Sequence, residues 1–153
     1  MNPKKFIALV NALENYCKAA ENNFGVRTYD NLDIAQADFT AYKPVKTGSE
    51  TAKLALVTNS ETAIRIAYEG TGAVTYGGKT LTKTDGYYFI RNIPAHQLGI
   101  GKTLKIGDTT FENMSALSYG YYVMKDSSNE NLKTLVNALY AYAKAAEAYA
   151  AAK

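Results

Sequence analysis

The sequence predicts an α+β fold: an antiparallel β-sandwich or partly open barrel of six to seven short strands, flanked by long amphipathic helices at both ends. Three observations predict it. Residues 9–21 and 135–147 are identical at ten of thirteen positions, at an offset of 126, and both carry apolar residues at spacings of three and four. Residues 51–112, between the two copies, alternate apolar and polar side chains over short runs. Gly77-Gly78 and Gly107-Asp108 divide those runs as two-residue hairpin turns.

The N-terminal helix takes Asn2 as its cap and Pro3 at its first position. Phe6, Leu9, Val10, Leu13, Tyr16, Cys17 and Ala20 follow as one apolar stripe, and Gly25 is the expected stop. Residues 26–50 have no clear period, and Asp30-Asn31, Pro44 and Gly48-Ser49 mark loop, with a short strand or turn expected near residues 37–42. Leu54 and Leu56 then alternate with Lys53, Ala55 and Val57, and Ile64, Ile66 and Tyr68 with Ala63, Arg65 and Ala67, around a turn at Asn59-Ser60. Val74–Tyr76 and Lys79–Thr82 flank Gly77-Gly78, and Tyr87–Arg91 follows Asp85-Gly86. Ile93–Leu98 breaks the sheet as a helical turn, and Leu104–Ile106 and Thr109–Glu112 form the last hairpin. Ser115 caps a helix over 115–124. Asn129 or Asn131 begins the final helix, whose stripe is Leu132, Leu135, Val136, Leu139, Ala143 and Ala146. The two end stripes are expected to pack together or on one side of the β-module.

The organisation is a single module over 1–153: an N-terminal helix to 24, a loop over 25–50, a β-module over 51–114, and C-terminal helices from 115. A repeat at this spacing is far longer than a solenoid period, so the module reads as one unit of a tandem array, with a related helix at each junction.

Composition narrows the function classes. With 47% hydrophobic and 20% charged residues, the chain is globular rather than disordered. No apolar run approaches the roughly 18 residues that a membrane span needs. The net charge of +3 is scattered, with no basic cluster for nucleic acid. A lone cysteine, Cys17, excludes an internal disulfide and reads as a small buried hydrophobe on its stripe. If the parent is exported, its signal and wall anchor lie outside these residues.

Catalytic machinery is hard to assemble. His96 is the one histidine, in a turn beside Pro94, with no Ser or Cys and third partner suggested nearby. Asp30, Asp33 and Asp38 do not match a calcium loop, and one His with one Cys makes a transition-metal site improbable. Gly70-Thr71-Gly72 and Gly99-Ile100-Gly101 open no helix after a strand, so they read as turns rather than phosphate loops. No enzyme activity, cofactor or metal is expected.

Binding chemistry is the better match. The chain has 13 Tyr, 5 Phe and no Trp. Tyr joins apolar area to a polar tip and suits exposed recognition surfaces, though it equally suits half-buried structural positions. Strand parity turns Arg65, Thr75, Thr80, Thr82, Tyr87, Arg91 and Lys105 away from the core. Of these, Arg65, Thr80, Thr82, Tyr87 and Arg91 are the candidate protein-binding residues, because Tyr and Arg are enriched at interfaces. Tyr76, Tyr87 and Tyr88 are the rings available to a sugar, with Tyr88 instead expected to pack inward beside Ile90.

The string Ser115-Ala116-Leu117-Ser118-Tyr119-Gly120-Tyr121, the Tyr/Ala-rich helix from Leu132 to Tyr149 and the Ile93–Leu98 turn together resemble a repeated module of large surface proteins of gut Clostridia, of the Ruminococcus and Lachnospiraceae type. The resemblance covers about residues 52–150 and the copied helix at 9–21. Arrays of that type include immunoglobulin-binding superantigens. The resemblance therefore implies recognition of antibody heavy-chain variable framework in the Fab, and secretion or cell-surface anchoring. Where such modules commonly end in Tyr-Phe, Tyr149 is here followed by Ala150-Ala151-Ala152-Lys153. No ligand-contact residue carries over from the resemblance. The alternatives are a glycan-binding or adhesion module and a structural spacer.

Overall fold

The computed structural model describes residues 3–152, so the expected Asn2 cap lies outside the described residues. The architecture is α+β, with helices α1 (Pro3–Phe24), α2 (Ala116–Asp126) and α3 (Glu130–Ala151). The strands are β1 (Val45–Thr47), β2 (Lys53–Val57), β3 (Ala63–Ala67), β4 (Val74–Tyr76), β5 (Lys79–Thr80), β6 (Tyr88–Ile90), β7 (Lys102–Ile106) and β8 (Thr109–Met114). They form two antiparallel sheets, β1-β8-β7-β4-β5 and β2-β3-β6, and no closed barrel.

The eighth strand, beyond the six or seven expected, is β1. It lies inside the stretch expected as loop and pairs with β8, Lys46 opposite Phe111. All three of its residues are exposed, so no alternation betrays it in sequence. The turn expected near residues 37–42 is a short 3-10 turn, Thr40–Tyr42.

The inner faces of both sheets meet helix α2 in one core. Leu56, Ile64 and Ile66 come from the smaller sheet, Val74, Leu104 and Ile106 from the larger, and Leu117 from α2. Gly77 and Gly78 both take positive φ, 58° and 85°, which is why two glycines join β4 to β5. α2 starts in a capping box: Ser115 accepts from the Ser118 backbone N–H, and the Ser118 hydroxyl accepts from the Ser115 N–H. Asn129 caps α3, accepting from the Leu132 N–H at 3.1 Å.

α3 packs against α2, against the Ala95–Gln97 turn and, most extensively, against α1. The end helices pack together antiparallel: Phe6 meets Tyr149 and Tyr16 stacks on Tyr142. The stripe of α1 does not behave as one face. Tyr16 and Ala19 are buried, with Tyr16 between Tyr142 of α3 and Thr62, whereas Phe6, Val10 and Leu13 stand exposed. Cys17 is exposed too, which corrects its reading as a buried hydrophobe. The periodicity merged two adjacent stripes, of which α3 covers only one.

Candidate protein-docking surface

The geometry of β3 and β6 builds a ladder of cations and rings on the outward side of the smaller sheet. Arg65 is the middle residue of β3 and is the register partner of Phe89 on β6. Tyr87, Phe89 and Arg91 share one parity, so their side chains fall on the same side as Arg65. The Arg65 guanidinium stacks over the Tyr87 ring, 4.4 Å from its centroid. The Arg91 guanidinium stacks over Phe89 at 4.5 Å. Between them Tyr87 and Phe89 meet edge to face, with centroids 6.3 Å apart. Each stack is attractive because the cation faces the negative side of the ring quadrupole.

Glu61, in the loop between β2 and β3, fixes the far end. One carboxylate oxygen accepts from the Arg91 guanidinium at 3.1 Å, and the other accepts from the Asn92 N–H at 2.6 Å. Asn92 has a positive φ of 53°, a conformation that Asn tolerates better than most residues, and its N–H points back to the carboxylate. The inward residues of β6 behave as parity requires: Ile90 is buried, and Tyr88 packs against the core.

The five sequence candidates fall into two groups. Arg65, Tyr87 and Arg91 come together in the ladder. Thr80 and Thr82 do not join it, because β5 belongs to the other sheet. Thr80 pairs with Thr75, and Thr75 with Lys105, so these three form a polar row across the larger sheet, exposed at Thr80 and Lys105 and half-buried at Thr75. Thr82 lies beyond the end of β5, which stops at Thr80, and is exposed. The residues of β5 and its continuation that approach the ladder are Lys79 and Leu81. They line a cleft of about 280 Å³ shared with Phe89 and Arg91.

Two members of the ladder escaped the sequence reading. Phe89 was legible, since it sits two residues from both Tyr87 and Arg91. Glu61 was not, because its partners are about thirty residues away and only the β3–β6 pairing brings them near.

Elsewhere the side chains do not gather as reactive sets do. His96 is exposed in its 3-10 turn, with Gln97 at 3.5 Å. Among the described residues no group of three or more His, Cys, Asp or Glu converges on a point, and no helix is long and apolar enough to cross a membrane.

Comparison with known proteins finds no matching family model, no matching curated protein and no matching solved structure.

Proposed function

We propose that this chain is a non-catalytic binding module displayed outside the cell, and that its partner is an immunoglobulin engaged through the heavy-chain variable framework. The observation that carries the docking surface is the Arg65–Tyr87–Phe89–Arg91 ladder. It presents aromatic area and two guanidinium groups on a strand-backed surface, the residue types most enriched at protein interfaces. The stacks and the Glu61 contacts hold both arginines in place beforehand, so little side-chain entropy is lost on docking. The antibody as partner rests on the resemblance of the 93–98 turn and the C-terminal helices to modules of immunoglobulin-binding arrays. A surface of about 600–800 Å² per partner would give modest affinity, raised about 10²–10⁴-fold by tandem copies.

Glycan binding is the competing reading. The ladder argues against it, because the Arg65 guanidinium already occupies one of the two faces of the Tyr87 ring on which a sugar would stack.

The test is biosensor binding to Fab fragments from several heavy-chain families, with a glycan array in parallel. Fab binding weakened by about 1–3 kcal/mol in Tyr87→Ala and in Arg91→Ala supports the proposal. Glycan hits with no Fab bound would sink it. Fab binding indifferent to both substitutions would keep the partner and discard this surface.

A further inference from the structure

The two copies of the repeated helix sequence have opposite fates. On α3, Val136 and Leu139 are 0% exposed, while their copies on α1, Val10 and Leu13, are 44% and 40% exposed. Ala143 is buried and its counterpart Cys17 is exposed. What covers the α3 face is the body, through α2, the Ala95–Gln97 turn and the 26–44 segment. One polar contact marks that seat. The buried amide of Asn137 accepts from the Ala37 backbone N–H of the body at 3.0 Å. α1 repeats this acceptor as Asn11, on the exposed side of the helix between Val10 and Leu13.

We infer that the exposed face of α1 is the seat for the body of a second copy of this module, placed ahead of α1 in the same polypeptide. An apolar stripe alone names no occupant. Here the stripe is a near-duplicate of one whose occupant is visible, and it keeps the Asn that anchors that occupant. Lys18 repeats Lys144 as well, and the Lys144 ammonium lies 5.3 Å from the Tyr42 ring centroid. Three positions depart: Asn15 replaces Ala141, Cys17 replaces Ala143, and Glu14 stands where Tyr140 meets Phe39 and Tyr42 edge to face. The second body would lose those ring contacts and keep the rest of the seat. Because α1 and α3 already pack on each other, one body would sit on the outer side of each helix.

The experiment joins residues 27–134 directly ahead of residues 9–153, so that the added body runs into α1 as this body runs into α3. Cys17 is the reporter, as the sole thiol of the present chain. In the present chain it should react freely with a dithiobis-nitrobenzoate reagent. In the joined chain the added body brings its own sequence but no cysteine, and Cys17 labelling should slow by about 10-fold or more, since reaction then requires local opening. Val10→Asp with Leu13→Asp should restore fast labelling in the joined chain and leave the present chain's melting almost unchanged. Fast labelling of Cys17 in the joined chain overturns the inference. A calorimetric unfolding enthalpy no larger than that of the present chain also overturns it, since the added body is then unfolded. Sedimentation of the present chain as a dimer with Cys17 protected would assign the face to self-association instead and overturn it likewise.

Discussion

Tyr16 stacks on Tyr142, with ring centroids 5.4 Å apart and 13° between planes, and each is the other's counterpart in the repeated helix sequence. A residue meets its own copy across an antiparallel helix pair only where an approximate two-fold axis passes between the helices. The axis relates α1 to α3 but not their surroundings, because the face that the body covers on α3 stands exposed on α1. Near-identical sequences therefore experience two environments in one molecule, and the first two predictions use that internal control.

Leu139→Ala should destabilise the fold by about 2–5 kcal/mol, because it opens a cavity at a fully buried site. Leu13→Ala, the same change in the copy, should stay within about 1 kcal/mol, because Leu13 remains partly in water. Urea melts of both variants check the asymmetry, and equal losses would refute it.

Asn137→Ala removes the acceptor for the Ala37 N–H and should lower stability by about 1–3 kcal/mol. Asn11→Ala should be nearly silent in the same melts. A comparable loss at Asn11 would mean that α1 already makes a contact of the Asn137 kind.

Gly120→Ala should destabilise by about 1–3 kcal/mol despite the better helix propensity of alanine. A Cβ there would collide with the Phe39 ring, which lies across α2 at that point. A stabilised variant in thermal melts would show that the ring moves aside freely.

Alkaline pH should unfold the protein through its inner tyrosines. Burial pushes both the Tyr16 and Tyr76 hydroxyls up to about 12 from the ordinary 10.0. Tyr76 also donates to the Met114 carbonyl at 2.8 Å. The unfolded chain gives up these protons first, so their contribution is intact below about pH 10 and is lost as pH rises through 12. The loss is on the order of 2–3 kcal/mol for Tyr16 and smaller for Tyr76, whose ring is partly screened by solvent. Melting temperatures across this window, with Tyr16→Phe as the flattened control, test it.

Arg65 and Tyr87 should be coupled before any partner arrives. A double-mutant cycle with Arg65→Met and Tyr87→Leu should return about 0.5–1 kcal/mol of coupling in stability, the range for a cation over an exposed ring. A coupling of zero would mean that the stack does not persist in solution.

Much of this was legible before the structure, for identifiable reasons. Gly77-Gly78 fixes its hairpin locally, and Ser115 and Asn129 announce their helices by capping chemistry that needs only neighbouring residues. Parity put Tyr87 and Arg91 on one side for the same local reason. β1 was hidden because its three exposed residues become a strand only by pairing with β8, more than sixty residues later. Thr80 and Thr82 were grouped with Arg65 because parity says which way a residue faces within a sheet and not which sheet it belongs to. Leu13 and Cys17 were assigned to the core because periodicity detects an apolar face and is blind to whether anything covers it.

The antiparallel pairing of Phe6 with Tyr149 sets how the molecule answers a pull. The outer ends of α1 and α3 lie at the same end of the pair, so tension between them acts across the helix contact rather than along it. Load then falls on one pair of turns at a time, starting at Phe6 and Tyr149 and reaching the tyrosine stack later. Helices loaded this way unzip, whereas helices pulled from opposite ends must shear every contact together. α1, which packs chiefly on α3, would peel off first and leave both sheets standing. Under flow the fold would lengthen by a helix before it surrendered its ladder.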